Sequence, residues 1–192
     1  MGHSIDTLQR IGVKIFLAEA PSLDRIVLAF HRWIQNGSVD GMLIDVADYS
    51  HVPEGPGVVL VAHEGNYALD LTGGRPGLLY YRKQPIDGDL TERVRAVAAV
   101  ALRAADALER DAEVEGAICG DAVQFFANDR LAAPNDAETE AAFQPALDAV
   151  LERMFAGAPR KQCRNQDPRE RFNVDVLADK GANAATLLAR LT

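Results

Sequence analysis

Four segments decide the fold of this chain: GMLIDVADY at residues 41–49, GVVLVAH at 57–63, NYALDL at 66–71 and GLLYYRK at 77–83. Each is short, rich in Val, Leu, Ile or Tyr, and bounded by turn residues such as Gly and Pro, which is the pattern of consecutive β-strands. The joins are too short for a crossover helix, and a parallel return needs roughly a dozen residues or more, so neighbouring strands must be antiparallel. The sequence predicts a four-stranded antiparallel meander over residues 41–84.

Further strands and helices are predicted on both sides of this meander. Apolar periodicity predicts strands near residues 13–18, 117–127 and 172–178, and longer helices over 22–36, 90–110 and 137–156. Side chains that can cap helices mark the expected starts, in chain order Ser22, Asp89 with Glu92, Asn135 with Glu138, and Asn183 for a short C-terminal helix. These elements predict a single α+β domain over residues 1–192, in which the further strands extend the meander and the helices pack on it.

The second meander segment is apolar on both of its faces. One face carries Val58, Leu60 and Ala62, and the other carries Val59 and Val61. A strand with two apolar faces is covered on both sides in a folded protein. Helices or a second copy of the chain would supply that cover, so a symmetric homodimer is the predicted oligomeric state.

Composition limits the classes of partner. The chain has 192 residues and a formal net charge of −8, so it is an acidic protein, and this charge argues against general binding to nucleic-acid phosphates. No apolar run approaches the roughly 20 residues that span a bilayer, and the N-terminal sequence lacks the pattern of a signal peptide. We therefore expect a cytoplasmic protein with no nucleic-acid partner and no membrane attachment.

The histidines and cysteines do not have the spacing of a metal site. His51 precedes the second meander strand and His63 follows it, so about 20 Å separates them, too far to share one ion with ligands at about 2 Å. Cys119 and Cys163 form no CxxC motif and are expected to be unpaired. His31 is interpreted as a boundary residue of the first helix, the alternative being a base that lines a pocket. No metal and no cofactor is predicted.

Three titratable residues cluster where the first meander strand ends. Asp48, Tyr49 and His51 supply a carboxylate, a phenol and an imidazole within four positions of the sequence, and such groups on a loop can perform acid–base catalysis. They are the candidate catalytic residues. The alternative is that they are turn residues whose side chains bond to their own backbone.

Positive charge is concentrated near the C-terminus, against the sign of the whole chain. The candidate anion-binding residues of this arginine loop, which covers residues 160–171, are Arg160, Arg164, Arg169 and Arg171. Guanidinium groups are planar donors that suit carboxylate and phosphate, so the loop is expected to bind a small anionic ligand or an acidic protein partner. The alternative is a surface loop whose arginines form salt bridges with acidic helices.

Two hypotheses about function follow. The preferred one is a non-catalytic binding or assembly domain of an intracellular protein, because no catalytic motif is present and the apolar sheet faces favour association. The alternative is an enzyme or sensor that acts on a small anionic metabolite. In that case the arginine loop would hold the anion, and His51 or Asp48 would transfer a proton.

Overall fold

The structure is a computed structural model, and it describes residues 5–49, 51–52, 56–114 and 118–192. Within these residues the chain forms eight strands and four α-helices, so the predicted α+β class is confirmed. The strands are β1 (Ile11–Leu17), β2 (Leu43–Asp48), β3 (Val58–Ala62), β4 (Gly65–Asp70), β5 (Gly77–Arg82), β6 (Ile118–Ala127), β7 (Arg160–Arg164) and β8 (Asn173–Ala178). The helices are α1 (Leu23–Asn36), α2 (Leu90–Glu109), α3 (Ala137–Met154) and α4 (Ala184–Leu191).

The strands form one antiparallel sheet in the order β2-β3-β4-β5-β1-β6-β8-β7. The meander is confirmed in part, because β2 to β5 pair in chain order but form only one half of the larger sheet. Strand β1 lies between β5 and β6 and joins the two halves. Residues 50 and 53–55 of the predicted meander, and residue 117 of the predicted strand 117–127, lie outside the described residues.

The start of the arginine loop is a strand, and its interpretation as a loop was wrong. Residues 160–164 form β7, which pairs with β8 from Arg160 opposite Ala178 to Arg164 opposite Val174. Its sequence, RKQCR, has no apolar alternation because β7 is an edge strand whose side chains bond to polar groups of α3. Exposed charges on an edge strand also oppose pairing with other chains.

Two of the predicted helix starts are confirmed in detail, and two differ. Asp89 and Glu92 form the expected capping box at α2, with both N–H···O distances at 2.9 Å, and Asn183 accepts a bond from the Thr186 amide at α4. Ser22 stands at the start of α1, but its hydroxyl makes no capping bond. Helix α3 is capped by Asp136.

Asn135 does not cap α3 because its side chain is used elsewhere. Its Nδ2 donates to the backbone oxygens of Asn165 and Asp167, at 3.0 and 2.8 Å. Its Oδ1 accepts a bond from Arg164. The side chain therefore ties the segment before α3 to the chain that follows β7.

The helices cover one face of the sheet. Helix α1 packs on β2 and β3, while α2 lies on β1 and β5 and against α3 and α4. One apolar cluster contains residues of all four helices and of the sheet face beneath them. A second, small cluster on the opposite face consists of Val59, Ala68, Leu79 and Phe126 and contains no helix residue. Among the described residues, helices therefore cover β3 on one face only.

Candidate functional site

The open face, meaning the face of the sheet without helices, carries two adjoining cavities of about 500 and 530 Å³. The first lies over β3, β4 and β5, and the second lies over β1, β6 and β8. Asp70, Thr72 and Arg171 line both. The two cavities together are called the groove below.

The first cavity has an apolar floor with polar groups at its side. Its floor is formed by Val59, Val61, Ala68 and Leu79. Tyr49, Asn66, Tyr81 and Arg171 are among the polar residues that line it. Asn66 Nδ2 donates a hydrogen bond of 2.7 Å to Tyr81 Oη. Because that oxygen acts as an acceptor there, its own O–H remains able to donate to another group.

The second cavity contains a buried ion pair. Lys14 Nζ lies 2.6 Å from Asp70 Oδ2, and the two side chains are 3% and 12% exposed. Thr72 Oγ1 donates to the other oxygen of Asp70, also at 2.6 Å. Burial acts to raise the pKa of Asp70, but the hydrogen bonds from Lys14 and Thr72 and the charge of Lys14 outweigh it and hold that pKa below its ordinary value. Asp70 is therefore ionised at neutral pH, and the charge of Lys14 compensates its negative charge.

Two arginines of the open face stack on phenylalanine rings, and they differ in their partners. The Arg75 guanidinium carbon lies 3.8 Å from the centre of the Phe16 ring, and its Nη1 donates to Asp175 at 2.5 Å. The Arg171 guanidinium lies 3.7 Å from the centre of the fully buried Phe126 ring. Throughout the part of the chain that the structure describes, no hydrogen bond or ion pair engages the Arg171 guanidinium.

The electrostatic surroundings of Arg171 are mixed. Burial lowers its pKa from the ordinary value, whereas the negative charges of Asp70 and Glu170 act in the opposite direction. An arginine remains protonated in proteins because its ordinary pKa is far above neutral pH. Arg171 is thus a permanent cation, and among the described residues it has no counter-ion at hydrogen-bonding distance.

The structure does not bring the four predicted anion-binding arginines together. Arg160 binds Asp148 and Glu152 of α3, and Arg169 binds Asp167 in its own turn. Those contacts match the alternative in which the arginines form salt bridges.

Arg164 is buried beside α3. Its Nε donates to Glu140 at 2.8 Å, and its Nη1 donates to Asn135 Oδ1 at 3.0 Å. Of the four arginines, Arg171 alone lines the groove. Anion binding by the arginine loop stays a prediction, and Arg171 is the residue of the four that the structure places in the groove.

Of the three candidate catalytic residues, one lines the groove. Tyr49 is 43% exposed and lines the first cavity, whereas Asp48 and His51 are exposed and do not line it. His31 on α1 and His63 after β3 are exposed as well. The catalytic assignment stays untested, and only Tyr49 has a place in the groove.

Metal ligation finds no support in the side chains that the structure describes. They contain no group of three or more His, Cys, Asp or Glu residues that could hold an ion. Cys119 is half-buried, Cys163 is exposed, and both are free thiols.

The sequence did not predict the ion pair between Lys14 and Asp70, or the contact between Arg171 and the Phe126 ring. Lys14 interrupts the apolar strand IGVKIFL, and Asp70 interrupts the apolar run YALDL. A charged residue inside a strand whose neighbours are all apolar is a usable signal, because burying a charge is costly unless it is paired. No comparable signal marks Phe126 as the partner of Arg171.

Comparisons with known proteins supply no family. No protein-family model matches the chain, and no curated protein shows significant sequence similarity to it. None of the helices in the described residues is both long and apolar enough to cross a membrane.

Proposed function

We propose that this protein is a non-catalytic binding domain whose groove holds a small molecule with an apolar body. The observation that supports this proposal is the first cavity. Its volume is about 500 Å³, and its floor of four aliphatic or small side chains lies on the open face of the sheet. Small-molecule sites are typically concave, mostly apolar and about 300–1,000 Å³ in volume, with a few polar groups that fix orientation.

Binding is favoured over catalysis by the state of the titratable groups in the groove. A general acid or base works best with a pKa near the operating pH. Asp70 has a pKa below its ordinary value and is bound to Lys14 and Thr72. No histidine among the described residues lines either cavity. The alternative function, an enzyme or sensor for a small anionic metabolite, would use the same groove but lacks an evident proton-transfer group there.

A ligand screen with one blocking variant tests the proposal. We expect small apolar compounds to raise the melting temperature of the unmodified protein, because a ligand that binds only the folded state stabilises it. Val61→Trp places an indole over the floor of the first cavity and should abolish this response. Tryptophan is well tolerated in strands, so the variant should remain folded.

Leu177→Trp is the matched control. Leu177 is 52% exposed on β8 and alternates with Asn173 and Asp175, so it lies on the same face but lines neither cavity. It should keep the full response to ligand. An equal loss in both variants, or an unchanged response in Val61→Trp, would place binding elsewhere and contradict the proposal.

Self-association is proposed as a second property, through the free edge of β2. In the part of the sheet that the structure describes, β2 pairs with β3 alone. Met42, just before β2, and Ile44, within it, are 65% and 58% exposed. Exposed apolar side chains on an edge strand favour pairing with another strand. Strand β2 carries its charges at Asp45 and Asp48, after these apolar residues, whereas β7 at the other edge begins with Arg160 and Lys161. We propose a symmetric homodimer that acts in the cytoplasm. We also propose that it has no nucleic-acid partner, because its net charge of −8 disfavours binding to phosphates.

Sedimentation at micromolar concentration tests the dimer. We expect a species of twice the chain mass of 20.8 kDa, and we expect Ile44→Lys to convert it to a monomer because a charge on the edge opposes strand pairing. Leu131→Lys removes an apolar side chain that is 82% exposed far from β2 in the sequence, and it should leave the dimer intact. A monomer in the unmodified protein at this concentration would contradict the proposal.

A further inference from the structure

We infer that the ligand of the groove is a monocarboxylate, with its anionic group on Arg171 and its apolar body on the floor of the first cavity. This inference rests on the proposed function and adds the chemical class of the ligand. It draws on three features of the open face, namely the unpaired guanidinium, a free phenolic donor and the local sum of charges.

The first feature is the position of the Arg171 guanidinium. Its central carbon lies over the Phe126 ring, 3.7 Å from the ring centre, and a guanidinium that stacks on an aromatic ring keeps its N–H donors, which lie in the plane of the group, available to a ligand. A planar fork held in this way can bind both oxygens of a carboxylate.

The other cations around the groove already have partners. Lys14 pairs with Asp70, Arg75 with Asp175 and Arg169 with Asp167. Arg171 differs from them in having no such partner within the described residues, although it lines both cavities.

The second feature is the Tyr81 hydroxyl. Tyr81 lines the first cavity with Arg171, and the two groups are close enough to interact electrostatically. Its oxygen accepts a bond from Asn66, so its hydrogen can be donated to an anion held by Arg171. Two kinds of donor, a guanidinium and a phenol, therefore face the same cavity.

The third feature is the net charge of the side chains that line the groove, which favours a ligand with a single negative charge. Lys14 and Asp70 cancel, so Arg171 supplies a net charge of about +1 in the middle of the groove. Asp167 is neutralised by Arg169, so Glu170 is the acidic residue that adds negative charge on the side of the second cavity. A dianion such as phosphate would be repelled there, whereas a carboxylate with an apolar body matches both the single cation and the apolar floor.

Matched acids and amides test the inference by calorimetric titration. The probes are 2-phenylacetate, 3-phenylpropionate and octanoate, each compared with its neutral primary amide, together with acetate and inorganic phosphate. We expect at least one acid to bind ten- to a hundredfold more tightly than its amide, since hydrogen bonds to charged groups contribute about 1.5–3 kcal/mol. Acetate and phosphate should show no binding at millimolar concentration.

Two arginine variants locate the effect. Arg171→Gln should remove the preference for acid over amide while the amide still binds with unchanged affinity. Arg169→Gln is the matched control from the same segment, because the Arg169 side chain is 88% exposed and bound to Asp167. It should keep the preference.

The outcomes separate this inference from the proposed function. Equal binding of acid and amide to the unmodified protein would overturn the inference and leave the binding function standing. Loss of the preference in both arginine variants, or tighter binding of phosphate than of the acids, would also overturn the inference. If no acid and no amide binds, both the inference and the proposed function are overturned.

Discussion

Replacing Lys14 with Met should lower the free energy of unfolding by about 3–5 kcal/mol, which is the usual cost of removing one partner of a buried ion pair. Lys14 is 3% exposed, and its ammonium group is 2.6 Å from Asp70. The variant would leave the Asp70 carboxylate nearly buried with Thr72 as its remaining side-chain donor. Urea unfolding of the two proteins measures the difference directly.

The double variant Lys14→Met, Asp70→Leu is the control for this prediction. Apolar replacement of both partners is often neutral or stabilising, so most of the lost stability should return.

The pH dependence of the free energy of unfolding should change as well. The folded-state pKa of Asp70 is below its ordinary value, so its contribution is present above about pH 4 and is lost as the pH falls through the folded-state value. The double variant should lack this contribution. If Lys14→Met lowered the free energy of unfolding by less than about 1 kcal/mol, that result would contradict the prediction that the ion pair is buried and stabilising.

Replacing Tyr67 with Ala should lower the free energy of unfolding by a similar amount, about 3–5 kcal/mol, because the change removes a large aromatic side chain from the core and leaves a cavity. Tyr67 is fully buried on the helix-covered face of β4. Its ring centre lies 4.8 Å from that of Tyr80 and 6.3 Å from that of Trp33 on α1. The side chain therefore joins the meander to the first helix.

Tyr67→Phe separates the ring from the hydroxyl. The Tyr67 hydroxyl donates a 2.8 Å bond to the backbone oxygen of Asp40. A hydrogen bond of this kind contributes about 0.5–1.5 kcal/mol, and the orphaned acceptor can add to the cost. Tyr67→Phe should therefore cost about 1–2 kcal/mol, clearly less than Tyr67→Ala. Equal costs for the two variants would contradict the packing of the ring between α1 and β5.

Local sequence signals were sufficient for much of the fold. The strands of the meander have short turns and dense β-formers, and α2 begins at a capping box whose two residues are three positions apart. Such signals act between neighbours in the chain, so they can be read without the fold. The strand β7 could not be predicted in this way, because RKQCR has neither apolar alternation nor β-branched residues and is fixed by pairing with β8.

The candidate site depends on contacts between residues that are distant in the chain. Lys14 and Asp70 are 56 positions apart, and Arg171 meets Phe126 only because β6 and β8 are neighbours in the sheet. The sequence did indicate that the arginine loop was unusual, and Arg171 was among its candidates. It could not show that Arg160, Arg164 and Arg169 bind acidic or polar partners while Arg171 has none among the described residues, because those contacts depend on tertiary geometry.

The central claim is that the open face binds an apolar ligand. Methyl NMR tests it most directly, on protein whose Ala, Val and Leu methyl groups are labelled and to which 3-phenylpropionate is added. The account predicts intermolecular contacts from the phenyl ring to the methyl groups of Val59, Val61, Ala68 and Leu79, with no such contacts to Val97 and Leu102 in the helix-covered core. Contacts to the helix-side methyl groups, or ligand binding without any contact to these four floor residues, would contradict it.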